Sequence, residues 1–198
     1  ASTGTGNTIV QPAGTTNASS ESTGTIASTV AEAKTVSATI NGVTITPTAT
    51  VTVGVGAVSA AQSLVSASPA SIVAGSATST ITVTARDANN NPIPGLTVVL
   101  ASTGSGNTLT QPAAVTNASG VATGTIASTV AQAKTISATI GGTAITQTAA
   151  VTVVPGAPSA ATSTVTASPG SIVAGAPTST ITVTARDANN NPIPGLTV

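Results

Sequence analysis

The sequence predicts an all-β protein of tandem two-sheet β-sandwiches, with about seven short strands in each repeat of 100 residues. Three observations carry this. Position n matches position n+100 at about three quarters of the overlap, so the chain is an internal repeat. Apolar residues alternate with Thr at period two, the mark of strands with one buried face. Clusters of Asn, Pro and Gly divide these runs. A period this long exceeds the roughly 20–50 residues of a solenoid coil and matches a whole small domain.

The elements follow in order along one repeat. ASPASIVAG (67–75) reads as an edge strand broken by Pro69, because proline cannot donate to a ladder. In STITVTA, Ile81, Val83 and Ala85 alternate with Thr80, Thr82 and Thr84. NNNPIPG (89–95) is turn chemistry, and Leu96, Val98 and Leu100 share a face after it. NASG (117–120) is a second turn. IASTVAQAK (126–134) comes nearest to a helical stripe, but its β-branched residues and short length predict a strand end and a loop. KTISATI places Ile136, Ala138 and Ile140 on one face; IGG (140–142) predicts a tight hairpin; TAAVTVV aligns Ala149, Val151 and Val153. The predicted core is Ile81, Val83, Leu96, Val98, Leu100, Ile126, Ile136, Ile140, Val151 and Val153.

The repeat also sets a frame. GAVSAAQS (56–63) and GAPSAATS (156–163) are small and unpatterned and read as linkers. Residues 58–157 are then a complete domain, 1–57 the C-terminal half of a preceding one, and 158–198 the N-terminal half of a following one. The two halves together lack only the equivalents of Val99 and Leu100. The expected partners are further copies of the same repeat, joined head to tail. A covalent array is favoured over half-domains that complement each other between separate chains.

Composition narrows the function. The chain has no Cys, His, Met, Trp, Tyr or Phe, and only four basic and four acidic residues. No disulfide or Cys-based metal site can form. No basic patch offers itself to nucleic acid. No apolar run approaches the ~20 residues of a membrane helix, so no membrane insertion is expected in this segment. No signal peptide begins at Ala1; for a secreted protein it would lie outside these residues.

A strand ending in TARDANNNPIPGLTVVL, followed by VTNASGVATGTIAST, AKTISATI and AAVTVV, resembles the bacterial immunoglobulin-like domain of the Big-1 type. Asp87, Asn91, Pro92, Pro94 and Gly95 match its strand–turn–strand core, and Asn117, Gly120, Ala122 and Thr125 its later hairpin. The resemblance implies tandem immunoglobulin-like sandwiches of the kind that build the stalks of invasin- and intimin-like adhesins, at the bacterial cell surface or outside the cell. Leu100 stands where that family often has an aromatic, which leaves packing to aliphatic groups and removes the side chains that usually anchor binding hot spots.

Chemistry-bearing candidates are few. Asp87, Asn89 and Asn91, repeated as Asp187, Asn189 and Asn191, have the D-x-N-x-N start of a calcium loop. Pro92 and Val98 replace the glycine and bidentate glutamate such a loop needs, so a turn with Asx side chains bonded to the backbone is the better reading, and no metal or cofactor is expected. Asn17 and Asn117 sit in N-A-S sequons but read as turn residues. GSGNT (104–108) lacks the lysine of a phosphate loop and reads as a plain loop. Arg86 beside Asp87 reads as a surface ion pair of little value. Thr-x-Thr runs such as Thr80–Thr84 raise ice binding, which the long period argues against. No base accompanies the many Ser and Thr hydroxyls, so no enzyme is expected. The leading reading is a structural segment of an extracellular bacterial stalk or filament. The alternative is an adhesin module that recognises a receptor or glycan through its loops.

Overall fold

The computed structural model describes residues 1–175 and 177–198. Its regular elements are all strands. The N-terminal part carries β1 (Asn7–Val10), β2 (Thr25–Ser28), β3 (Ala33–Val36), β4 (Thr39–Ile40), β5 (Val43–Thr44) and β6 (Ala49–Thr52). The central part carries β7 (Leu64–Ser68), β8 (Ser71–Val73), β9 (Thr78–Thr84), β10 (Val98–Ser102), β11 (Asn107–Thr110), β12 (Val121–Ser128), β13 (Ala133–Ile140), β14 (Thr143–Ala144) and β15 (Ala149–Val154). β16 (Thr164–Ser168) and β17 (Thr180–Thr184) follow.

The central strands make two sheets. One has the order β11-β12-β9-β7; the other has the order β10-β13-β15-β8, with β14 paired to β13. All pairs are antiparallel except β8 with β15. Alternation works as expected: Ile81, Val83 and Ala85 turn inward from one sheet, and Ile136, Ala138 and Ile140 from the other, into a single buried cluster. Every residue of the predicted core is buried there except Leu96, which is half-buried against its edge. The 126–134 stretch is the end of β12, a loop and the start of β13. The Gly141–Gly142 turn has positive φ at both residues, the twist that matches a two-residue hairpin.

Two readings need revision. The segment 67–75 is not one broken edge strand. It crosses between sheets at the cis Ser68–Pro69 bond, so β7 closes one sheet's edge and β8 closes the other's. With the β14 hairpin, this raises the strands in the repeat from about seven to the nine of β7–β15. The linker segment Gly56–Ser63 is held to the sandwich by hydrogen bonds. Ser59 N–H donates to Arg86 O, Ser63 Oγ bonds the Arg86 backbone, and Thr146 N–H reaches Ala60 O.

Side chains cover two strand edges. Gln111 reproduces a ladder rung on β10, accepting from Leu100 N–H at 2.7 Å and donating to Leu100 O at 2.9 Å. Gln147 accepts from Val65 N–H at 3.1 Å on β7. Spent in this way, the edges are poor templates for stray pairing. Ile136 is fully buried between the sheets, so Ile136→Ala should cost about 2–4 kcal/mol of stability, read as a drop in the denaturant midpoint at unchanged slope.

Candidate interdomain joint

The segment Arg86–Pro92 turns on one carboxylate. Asp87 is buried, and among the described residues no lysine or arginine pairs with it. Its Oδ1 accepts from the backbone N–H of Asn89 and Asn91, both at 2.9 Å. Its Oδ2 accepts from Gly56 N–H at 2.9 Å and Asn91 Nδ2 at 2.8 Å. Burial pushes the carboxyl up, but the donors from the Asn91 side chain and from the backbone of Gly56, Asn91 and Asn89 outweigh it and hold Asp87 below the ordinary carboxylate range. The turn needs a left-handed residue, and Asn90 supplies it at φ 69°. Four N–H donors around the carboxylate are the reverse of the oxygen cage that a calcium ion takes.

Asn91 extends this turn outward. Its Nδ2 also donates to Thr29 O at 2.9 Å, and its Oδ1 accepts from Ala31 N–H at 3.0 Å. Thr29 and Ala31 lie between β2 and β3, one repeat earlier. The same clamp recurs 100 residues on. Asp187 accepts from Gly156, Asn189 and Asn191, and Asn191 bonds Thr129 O at 2.9 Å and Ala131 N–H at 2.8 Å. Asn189 adds a bond to Ala74 O at 3.3 Å. The D-x-N-x-N residues therefore make the expected Asx turn, and Asn91, Asn189 and Asn191 also grip the preceding repeat. The sequence carried a hint of this: 79–98 recurs unchanged at 179–198, and TGTIASTVA, which holds Thr29 and Ala31, recurs unchanged at 123–131. Both faces of the joint fall in the parts of the repeat that do not drift.

Arg86 does not pair with Asp87. Its guanidinium donates to Asn90 O at 2.8 Å and closes the turn. Asn17 and Asn117 both act as turn residues, each side-chain oxygen accepting two backbone N–H bonds. Thr80, Thr82 and Thr84 lie in β9, between β12 and β7, so their side chains belong to an ordinary sheet face.

The GSGNT loop does more than connect strands. Gly104 lies against the buried Lys134 ammonium, which donates to Ser105 O at 2.6 Å, whereas a Cβ at Gly106 would meet Val130 and Thr129. A Cβ at Gly104 would lie 3.1 Å from Lys134 Nζ and 2.1 Å from the Gln132 amide. One repeat earlier, Lys34 is held by Thr5 O and by an ion pair with Glu32, where the later repeat has Gln132. Lys134 therefore has neutral partners only, and burial pushes its pKa down. The sequence placed no weight on either lysine, because a lone Lys in a strand usually faces water.

The model for invasin domain 3 matches residues 59–156. No curated protein matches the chain. Among solved structures, the Escherichia coli adhesin FdeC is similar at 28% identity and a TM-score of 0.67, over 99% of this chain and 64% of that one. InvD of Yersinia pseudotuberculosis is similar in fold at 24% identity and a TM-score of 0.65, over 98% of this chain and 61% of that one. Invasin, a bacterial integrin-binding protein, is similar in fold at 24% identity and a TM-score of 0.62, over 92% of this chain and 37% of that one. The chain thus spans under two thirds of each of these structures.

Measurable outcomes are expected at two sites. Asn91→Ala removes three side-chain bonds and should cost about 1–3 kcal/mol, with faster hydrogen exchange at the Ala31 amide than at core amides such as Ile136. Because the folded Asp87 titrates below its unfolded value, this stabilisation is complete above about pH 5 and fades as pH falls below about 4; Asn91→Ala should shrink that acid limb. At Lys134 the slope has the same sign, here because burial disfavours the charged lysine. The unfolded chain holds that proton more tightly, so stability should rise with pH up to about 10. Gln132→Glu, which copies the first repeat, should raise the melting temperature by a few degrees at low salt and flatten that alkaline rise.

The strand order, the buried cluster and the family match agree: residues 59–156 are an immunoglobulin-like domain of the invasin domain 3 type, the Big-1 kind found in bacterial adhesins.

Proposed function

We propose that this chain is a structural segment of an extracellular bacterial stalk or filament, in which immunoglobulin-like domains follow one another head to tail in a covalent array. The observation that carries the reading is the joint. The same Asp and Asn residues grip the same backbone positions of the preceding repeat at both junctions, with distances that agree within about 0.2 Å. A connection made of charge-assisted and side-chain bonds resists bending better than a free linker of the same length. Repeating it adds length without adding a new surface chemistry. The absence of aromatic side chains supports support over recognition, since loops without Trp or Tyr lack the usual anchors of a binding site. Catalysis has no place in this reading: the buried carboxylates are spent on N–H donors, and the chain has no Cys or His.

The test compares arrays of two, four and six periods by electron microscopy. Contour length should grow linearly, by roughly 35–40 Å per period if strands of about ten residues lie along the axis. Asn91→Ala and Asn191→Ala together should shorten the persistence length without changing contour length. Saturable binding of the arrays to host cells or to a defined glycan, abolished by changes in the loops, would instead favour an adhesin module.

A further inference from the structure

We propose that β8 and β15 form the shear pair by which the central domain resists tension along the stalk, and that the following repeat locks this pair through Asn189. The inference rests on the head-to-tail reading above and adds how one repeat strengthens the repeat before it.

A domain in a covalent array is pulled through the chain that enters it and the chain that leaves it. Here those two pieces lie side by side. Thr146 N–H donates to Ala60 O at 3.0 Å, and Gln147 Oε1 accepts from Val65 N–H at 3.1 Å. Further along, Thr152 N–H donates to Ala70 O at 2.8 Å, and Ala74 N–H donates to Val154 O at 2.9 Å. Both pieces therefore run in the same direction. β8 and β15 pair in parallel, with Ser71 opposite Thr152 and Val73 opposite Val154. Between these, Ile72 and Val153 face each other in the ladder, and both are buried, which anchors the pair in the core. Tension drags the entering chain backward and the leaving chain forward. The rungs between them are then stretched together instead of opening one at a time.

Such a pair is weakest at its free end, where one rung can fray before the rest. That end is Ala74 against Val154, and the next repeat holds it. Asn189 Nδ2 donates to Ala74 O at 3.3 Å, and Asp187 Oδ2 accepts from Gly156 N–H at 2.9 Å. One turn of the following repeat thus grips the chain just past β8 and the chain just past β15. Gly75 makes room for it: a Cβ there would lie 2.5 Å from Asn189 Nδ2. Gly75 N–H also donates to Ser128 O at 2.9 Å, tying the same end of β8 to the end of β12. The Asn189 side chain is free for this task, because the Asp187 turn uses only the Asn189 backbone N–H.

The experiment is single-molecule force spectroscopy on the 198-residue chain. The chain has no cysteine, so introduced cysteines fix where the handles attach. Ala57→Cys with Ala157→Cys shears β8 against β15; Ser76→Cys with Ala157→Cys peels them apart from the Ala74 end. All three positions are exposed, and residues 158–198 stay outside the pulled segment. In the shear geometry one release of roughly 300 Å of chain marks unfolding of the whole domain. It should need roughly twice the peeling force or more, because the rungs share the pull. Asn189→Ala should speed unfolding at fixed shear force by roughly three- to tenfold, although it lies outside the pulled domain. Asn89→Ala, the same change on the turn that faces the preceding repeat, should leave the rate unchanged. Equal forces in the two geometries, a rate indifferent to Asn189→Ala, or equal sensitivity to both substitutions would overturn the proposal. Contour length per period reports on the array reading alone, so equal forces beside a linear contour would remove this proposal and leave the array standing.

Discussion

A buried carboxylate must find partners for its charge, and Asp87 finds four N–H donors. The rest of the joint follows from that requirement. Two donors come from the backbone of the turn that Asp87 itself begins, which fixes the turn. One comes from Gly56, which draws the incoming chain onto the loop. The last comes from the Asn91 amide, and holding that amide in place aims its other bonds at Thr29 and Ala31. An apolar residue at Asp87 would leave those donors unmatched. The repeat at Asp187 meets the requirement in the same way, so the geometry is a property of the sequence unit and not of its position in the chain.

The low charge of the chain gives these few polar groups their weight. With eight charged residues in 198, four of them, Lys34, Asp87, Lys134 and Asp187, are buried. Each sits where two pieces of chain must be held together: the aspartates at the joints, the lysines under the glycine loops. The core around them is aliphatic throughout, and the outward positions are mostly Thr and Ser. Such a surface offers little to grip and little to titrate.

How much of this was legible in the sequence depends on the range of the interaction. Strand alternation is local, so Ile81, Val83, Ile136 and Ile140 declared their burial through period two, and the Gly141–Gly142 turn declared itself through the only residue type that takes its φ freely. The Asx turn at Asp87 was equally local and equally readable. The 100-residue period gave the size of the unit. The crossing of β7 and β8 between sheets was not readable, because Pro69 signals an interruption without saying which neighbour the chain meets next.

The sequence by itself determined the all-β class, the repeat and most of the core, since these depend on spacing along a single strand or turn. Tertiary structure alone decided that Asn91 grips a loop sixty residues earlier and that Gly104 lies against the Lys134 ammonium, where a Cβ would crowd it. Those outcomes depend on which surfaces meet across long loops, and a residue's own neighbours in the chain carry no record of that meeting.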